Sequence, residues 1–372
     1  MATTDFGALD AARVRHWVLK ALVGGRDASF FLSNNFVGDN SADMTKPIQR
    51  ITELTKTSRG TEAVMQIIAD LRQDGVVGNN QLTSNEEPMV NDAQVLRIDM
   101  LRHGVKSEGA MAEQATVNTF REQARGKLGF WMNDKVDELF FLTIAGRAYS
   151  LTYNGATRAA SQLPSLTFAA DVVAPSTNRI IYAGTATSTA TLTANDKMSW
   201  ELLTRLKAFA QRKRIQPIRS RGKPFFCVVM SSEQERDLQL DGTYQTIVSR
   251  AGPRGDDNPL FTGAFATVQG LALYSHNKTA NTLDGTSGSQ KWGSGSTIDG
   301  AQAQLLGANA LGWCTIEEPQ WKEADINDYG NQPGIGVGRR FGMLKPQYKY
   351  SNQQETTRED FGTVSIYTAA AA

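Results

Sequence analysis

The sequence predicts an α+β fold in which long projecting elements hang on a mixed body of helix and sheet. Three observations predict it. Residues 108–147 read as one long amphipathic helix. Residues 63–71 and 94–100 each alternate with a period of two, and a long polar link joins them. The second half of the chain carries short apolar, strand-like runs, and the last two, residues 341–348 and 361–367, close the fold.

The helix comes first because it is the longest pattern. Val117, Phe120, Ala124, Leu128, Trp131 or Met132, Val136, Leu139 and Thr143 recur at steps of three and four, which keeps one stripe facing one way. The opposite face carries charges of both signs: Arg121, Glu122, Arg125, Lys127, Asp134, Asp137 and Glu138. No proline interrupts the pattern. Gly126 and Gly129 each weaken it by about 1 kcal/mol relative to alanine, which calls for a packing reason. At 1.5 Å per residue, thirty-odd residues span about 45–50 Å, the length of a strut. On that reading Trp131 and Leu139 are buried, while Arg121 and Glu138 are solvated.

Taken from the start, residues 8–23 read as a short amphipathic helix stopped by Gly24 and Gly25. Residues 26–60 have no sustained period, yet they hold Phe30, Phe31 and Phe36. Such a segment cannot bury its rings alone and is expected to lie against another body. The alternating runs make a hairpin whose broad tip spans residues 75–92. Two strands alone are marginal in water, so the hairpin needs a neighbouring surface. Residues 149–195 are irregular. Residues 196–211 form a second amphipathic helix, with Trp200, Leu203, Leu206 and Ala210 on one face. Residues 225–230 read as a buried strand, and Ser232 with Glu235 as the capping box of a helix over 233–241. Residues 260–275 alternate as strand and hairpin, 284–300 read as a flexible loop, and 303–316 as strand.

Composition bounds the function. The chain has 372 residues, 40% hydrophobic and 21% charged, which is globular. A formal charge of +1 gives no global field toward nucleic acid or an anionic membrane. No apolar run reaches the length of a membrane span, and the N-terminus lacks the pattern of a signal peptide, so a cytoplasmic origin is expected. Cys227 and Cys314 read as buried free thiols rather than a disulfide or a metal pair.

An enzyme needs a site, and none is legible. His16, His103 and His276 are the only histidines, and none has another ligand at metal spacing. The run GIGVGRRFG from Gly334 misses the dinucleotide-loop spacing, because Gly338 falls one residue early, and reads as a flexible turn. Glu86 and Glu87 sit at the hairpin tip as solvated charges. The basic run Arg212, Lys213, Arg214, Arg219, Arg221 and Lys223 reads first as a solvated loop and second as a phosphate or partner contact. No catalytic residue, cofactor-binding residue or metal ligand is assigned, and no cofactor is expected.

The order of elements is the remaining signal. An N-terminal arm leads to a projecting hairpin, then a long helix, an α/β body and returning strands. This order resembles the major capsid proteins of tailed bacteriophages, with the Hong Kong 97-type fold. The wording of PIQRITELTKTSRGTEAVMQI, NEEPMVNDAQVLRIDMLRHGVKSEGAM, KLGFWMNDKVDELFFLTIAGRAY and NPLFTGAFATVQGLALYSHN is similar to the branch found in N-four-like phages. The resemblance implies a layout: residues 1–60 as N-arm, 61–107 as the hairpin called the E-loop, 108–221 as a peripheral domain with the long helix as spine, 222–325 as an axial domain, and 326–372 returning to the peripheral domain.

It also implies a partner set. The chain would assemble with itself as hexamers and pentamers into the icosahedral head shell around the packaged genome. A separate scaffolding protein, a portal protein and a cement or decoration protein would join it. Packaged double-stranded DNA would be touched without sequence preference, and no membrane is involved. The shell would be built in the host cytoplasm and end in the virion. Some members crosslink a hairpin lysine to asparagine; here no lysine lies between residues 75 and 92. Two other readings stay open on sequence alone: an encapsulin-like compartment of the same fold, and a cytoplasmic enzyme with an unrecognised site.

Overall fold

A computed structural model describes residues 29–40, 43, 45–54, 60–68, 71, 73–89, 91–108, 120–220, 223–251, 266–316, 319–324, 331–349 and 358–370. The helix expected over residues 8–23 lies outside them, as do residues 109–119 of the expected long helix.

The first half of the chain holds helix α1 (Phe30–Ser33), strands β1 (Ile48–Ile51), β2 (Glu62–Ile68), β3 (Asn91–Arg97) and β4 (Asp99–Lys106), and the long helix α2 (Phe120–Ala145). Three 3₁₀ turns between residues 163 and 179 follow, then β5 (Ile180–Tyr182), α3 (Trp200–Arg212), β6 (Ile218–Ser220), β7 (Lys223–Met230), α4 (Ser232–Leu240) and α5 (Gly242–Ala251). The remainder is strand: β8 (Ala266–Val268), β9 (Leu271–Ser275), β10 (Gly300–Leu306), β11 (Leu311–Thr315), β12 (Gln320–Ala324), β13 (Gly334–Leu344), β14 (Gln347–Tyr348), β15 (Glu359–Asp360) and β16 (Thr363–Ala369).

These strands make two main sheets with α2 packed against both. In the seven-stranded sheet, the order is β5-β16-β10-β7-β9-β8, with β6 on β7. Strand β7 is apolar on both faces because both are covered. Cys227 and Val229 face the cluster that contains α2; Phe226, Val228 and Met230 face Leu202, Leu203 and Leu206 of α3. In the five-stranded sheet, the order is β1-β11-β13-β12, and β4 pairs along the other edge of β13. The sheets do not divide the chain at residues 222 and 326. Strands β11 and β12 belong with β4 and β13, while β16 lies between β5 and β10.

Helix α2 has 26 residues and is about 39 Å long. Its end is a Schellman cap: the Arg147 N–H donates to the Leu142 carbonyl at 2.9 Å and the Gly146 N–H to Thr143 at 3.1 Å. Gly146 has φ +64°, and a Cβ there would lie 2.4 Å from the Val173 carbonyl oxygen, so only glycine fits. Leu139 is fully buried, as the stripe requires, but Trp131 is only half-buried. The charged face departs further from expectation. Residues 136–145 are all buried, Asp137 and Glu138 included, because the seven-stranded sheet and the 149–171 segment close over the far side. Gly126 meets nothing where a Cβ would stand, so no close packing demands it.

Four local expectations change. The glycine-rich run from Gly334 is no turn; it is β13, the central strand of the five-stranded sheet. Its inward alternates Ile335, Val337, Phe341 and Met343 carry a period of two that the glycines mask. The capping box sits one residue earlier, at Ser231 and Gln234, whose side chains bond reciprocally to each other's backbone N–H. The loop 284–300 is packed rather than free: Trp292 is buried over Gly300 and bridges to Ile298. The rings of residues 30–36 lie on this chain's own core. Phe31 stands 4.8 Å from Phe141 and 5.2 Å from Phe140.

Candidate functional site

Among the described residues, no three His, Cys, Asp or Glu side chains could hold a metal ion together, and no helix is long and apolar enough to cross a membrane. His103 is exposed and lies 4.3 Å from the Trp131 ring; His276 stacks on Phe141 at 4.9 Å; His16 is outside the described residues. Burial pushes the Cys227 thiol up to about 12 and the Cys314 thiol to about 11, so both stay protonated and unreactive. Glu86 is exposed, whereas Glu87 accepts from the Gln73 N–H at 2.9 Å. Arg212 lies over the Phe209 ring, the Lys213 carbonyl accepts from Arg179, and Arg214 turns the chain at φ 54°. Arg221 lies outside the described residues.

What the molecule offers instead is uncovered surface on a well-fastened frame. Strands β2 and β3 pair in full register from Glu62↔Arg97 to Ile68↔Asn91. Their base is seated on the chain itself. Ala63, Met65 and Leu96 pack with Ile51, Cys314 and Leu344. Arg97 pairs with Asp171 at 2.6 Å and Asp92 with Arg358 at 2.8 Å. Beyond the paired strands, most of the described residues of the hairpin stand open to solvent. Val77 is 78% exposed and Met89 68%, and Ile68, Leu71 and Leu82 are each 59% exposed. Apolar groups left in water on a projecting ribbon mark a surface that another molecule covers.

The segment leading in from the N-terminus is anchored too. Asp137 of α2 accepts from the Ser29 hydroxyl at 2.7 Å and the Phe30 N–H at 2.8 Å, capping α1. Burial pushes its carboxyl up to about 6, against those hydrogen bonds and the nearby Lys278. Burial and Lys278 push His276, between Phe30 and Phe141, down to about 4. The two shifts oppose each other in pH. Asp137, raised from 3.8, contributes less stability as pH rises toward about 6; His276, lowered from 6.5, contributes more as pH rises from about 4. The Asp137→Asn variant is therefore expected to gain stability relative to the parent as pH rises from about 4 to about 6, and His276→Gln to lose it. Denaturant midpoints measured across that range check both signs.

A family model described as "Phage capsid protein" matches residues 5–372. The chain belongs to this family. It is 38% identical over 377 residues to the major capsid protein of Pseudomonas phage KPP25, covering 99% of this chain and 98% of that one. The solved capsid of Ralstonia phage GP4 superposes with a TM-score of 0.74 at 25% identity over 92% of both chains. The capsid asymmetric unit of cyanophage Pam1 gives 0.70 at 16% identity, over 92% of this chain and 93% of that one. The fold is thus the Hong Kong 97-type capsid fold expected from the order of elements. This phage capsid protein is a major capsid protein, a component of the virion shell, and it works as an assembly of its own copies. The capsid matches favour that reading over an encapsulin-like compartment. The long helix and hairpin were legible in the sequence. The anchoring carboxylate Asp137 and the glycine row of β13 were not, since neither carries a local motif.

Proposed function

We propose that the chain forms hexamers and pentamers that close into the icosahedral head shell around packaged phage DNA. Each hairpin 61–107, held at its base by β4 in this chain's own sheet, reaches with its tip across a neighbouring copy. The seven-stranded sheet with α3, α4 and α5 serves as the axial domain, and the five-stranded sheet with α2 as the peripheral domain. Residues 1–60 act as the N-arm. Assembly takes place in the host cytoplasm with a separate scaffolding protein and a portal protein, and a cement protein adds to the finished shell. DNA is enclosed without sequence preference, in keeping with the formal charge of +1. The role is structural rather than catalytic.

The observation that carries this reading is the uncovered apolar hairpin on a chain of the capsid family. The test removes it. With residues 76–90 replaced by a short turn, the subunit is expected to stay folded, because that segment adds little to the core. Closed shells should vanish from electron micrographs and sedimentation profiles of the co-expressed assembly proteins. Particles of normal size from the shortened chain would sink the reading.

A further inference from the structure

Lys345, just past the end of β13, and Asp360 on β15 form an ion pair unlike the others in burial. The Lys345 Nζ lies 3.2 Å from the Asp360 Oδ1, and both side chains are 1% exposed. In the other lysine pairs among the described residues the lysine side chain is 13–44% exposed. A buried ammonium is normally held by several acceptors, because each unmet donor costs its desolvation. The Lys345 Nζ faces Asp360 obliquely and meets no other acceptor among the described residues. Burial pushes its amine down from the ordinary value, against the pull of Asp360. The buried arginine pairs, Arg158 with Glu138 and Arg179 with Glu359, have no such option, since a guanidinium does not give up its proton.

A neutral amine is a nucleophile, and the carboxyl opposite it is fixed at both oxygens. The Gln347 Nε2 donates to Oδ1 at 2.6 Å, and the Ser176 N–H donates to Oδ2 at 3.1 Å. Ser176 is held in turn, because its Oγ accepts from the Asp360 N–H at 3.1 Å. Donors aimed at both oxygens polarise the carbon between them and stabilise the charge that gathers on oxygen when that carbon is attacked. The backbone keeps the two groups together. Gln347 pairs with Asp360 across β14 and β15, and the Phe361 N–H donates to the Pro346 carbonyl at 3.0 Å. Groups held in this way react as if at very high concentration.

We propose that Lys345 and Asp360 condense after folding into an isopeptide bond within the chain. The ammonium first gives a proton to Oδ1, which leaves a neutral amine and a neutral carboxylic acid. The Nζ lone pair then forms the C–N bond at Cγ. A second proton passes from nitrogen to Oδ1, the Cγ–Oδ1 bond breaks, and Oδ1 departs as water. Oδ2 stays as the amide carbonyl on the Ser176 N–H. The step consumes no oxidant and leaves no charge behind. In bulk water the separated amine and acid are favoured because each regains a hydrated charge; at 1% exposure that hydration is withheld. The bond closes residues 345–360 into a ring. That ring carries Lys349 and Arg358, which bond Asp92, and Gln347, whose N–H donates to Gln94 at 2.8 Å. The ground under the hairpin base is thereby fixed covalently.

The test is a mass measurement on the full chain. Most molecules of the folded protein should weigh one water less than the same chain denatured as soon as it is made, because the bond needs the folded site. Trypsin should release residues 341–349 joined to residues 359–372 as one branched peptide lacking that water. Fragmentation should place the junction at Lys345 and Asp360. Lys345→Met should keep its full mass at all times. Where that variant does not fold, the peptide map of the parental chain decides alone. A folded parental chain at full sequence mass overturns the proposal and leaves an ordinary ion pair. So does a water lost at any other residue, as in a succinimide at an Asp-Gly step, or a Lys345→Met chain that still lacks the water.

Discussion

Replacing Glu138 with Ala is expected to cost about 3–5 kcal/mol of subunit stability, the range for stranding one partner of a buried ion pair. Glu138 is 1% exposed. Its carboxylate bonds Lys135 at 2.7 Å one turn back on α2 and pairs with Arg158, whose side chain is 7% exposed. Arg158 lies in the segment after the helix, so the carboxylate ties that segment down on the charged side of α2. Removing it leaves a guanidinium buried without its counter-charge, and arginine cannot neutralise itself by losing a proton. On the apolar side, Leu139→Ala should cost about 2–5 kcal/mol, the usual range for a core leucine. Equal losses on opposite faces are the mark of a helix enclosed on all sides. Denaturant unfolding of a subunit held back from assembly measures both. A Glu138→Ala loss under about 1 kcal/mol would return the helix to an exposed strut.

Gly342→Ala is expected to be nearly as severe through a different cause, about 3 kcal/mol or more. The added methyl would stand 2.1 Å from the Arg97 carbonyl oxygen and 2.8 Å from Leu96 Cδ2. Neither strand can yield alone. Strand β13 is held between β11 and β12 on one side and β4 on the other. Strand β3 is fastened through Arg97 to Asp171. The hairpin base is therefore expected to lift from the sheet and expose Met65 and Leu96. Limited proteolysis should find new cleavage within residues 61–97 of the variant while the rest of the chain resists. An alanine variant with parental stability and an intact hairpin would show that the crossing is looser than its geometry.

Much of this architecture was legible from residue periodicity, and its failures have physical causes. Leu139, the hairpin strands and the apolar run before Met230 announce themselves because burial and local period agree. Glu138 misleads because a charged side chain looks solvated until a distant Arg158 arrives to pair with it. Gly334 to Gly342 reads as a turn because glycine usually marks one, whereas here it forms a strand paired on both edges that the hairpin base crosses closely at Gly342. Phe31 could be recognised as needing cover, but not that the cover is Phe140 and Phe141, more than a hundred residues further on. Asp137 gave no signal, since its partners are Ser29 and the backbone of Phe30. Nothing about the receiving surfaces between copies has a local pattern, because an interface is complementary only to its partner.

The position of β16 has a consequence in time. This strand is synthesised after every other member of the seven-stranded sheet, yet it is hydrogen-bonded on both edges, to β5 and to β10. Until it leaves the ribosome, β5 has no strand to pair with, and the Ile366 and Val364 layer between α3 and β10 is missing. The sheet cannot close until this strand has been made. Until then each chain carries open strand edges, beside siblings made in the same place at the same moment. Pairings of high sequence separation form slowly, and open edges recruit copies of themselves. The interval between synthesis of β10 and docking of β16 is when a chain is most exposed to wrong association, so a faster docking of that one strand should leave more subunits fit to assemble.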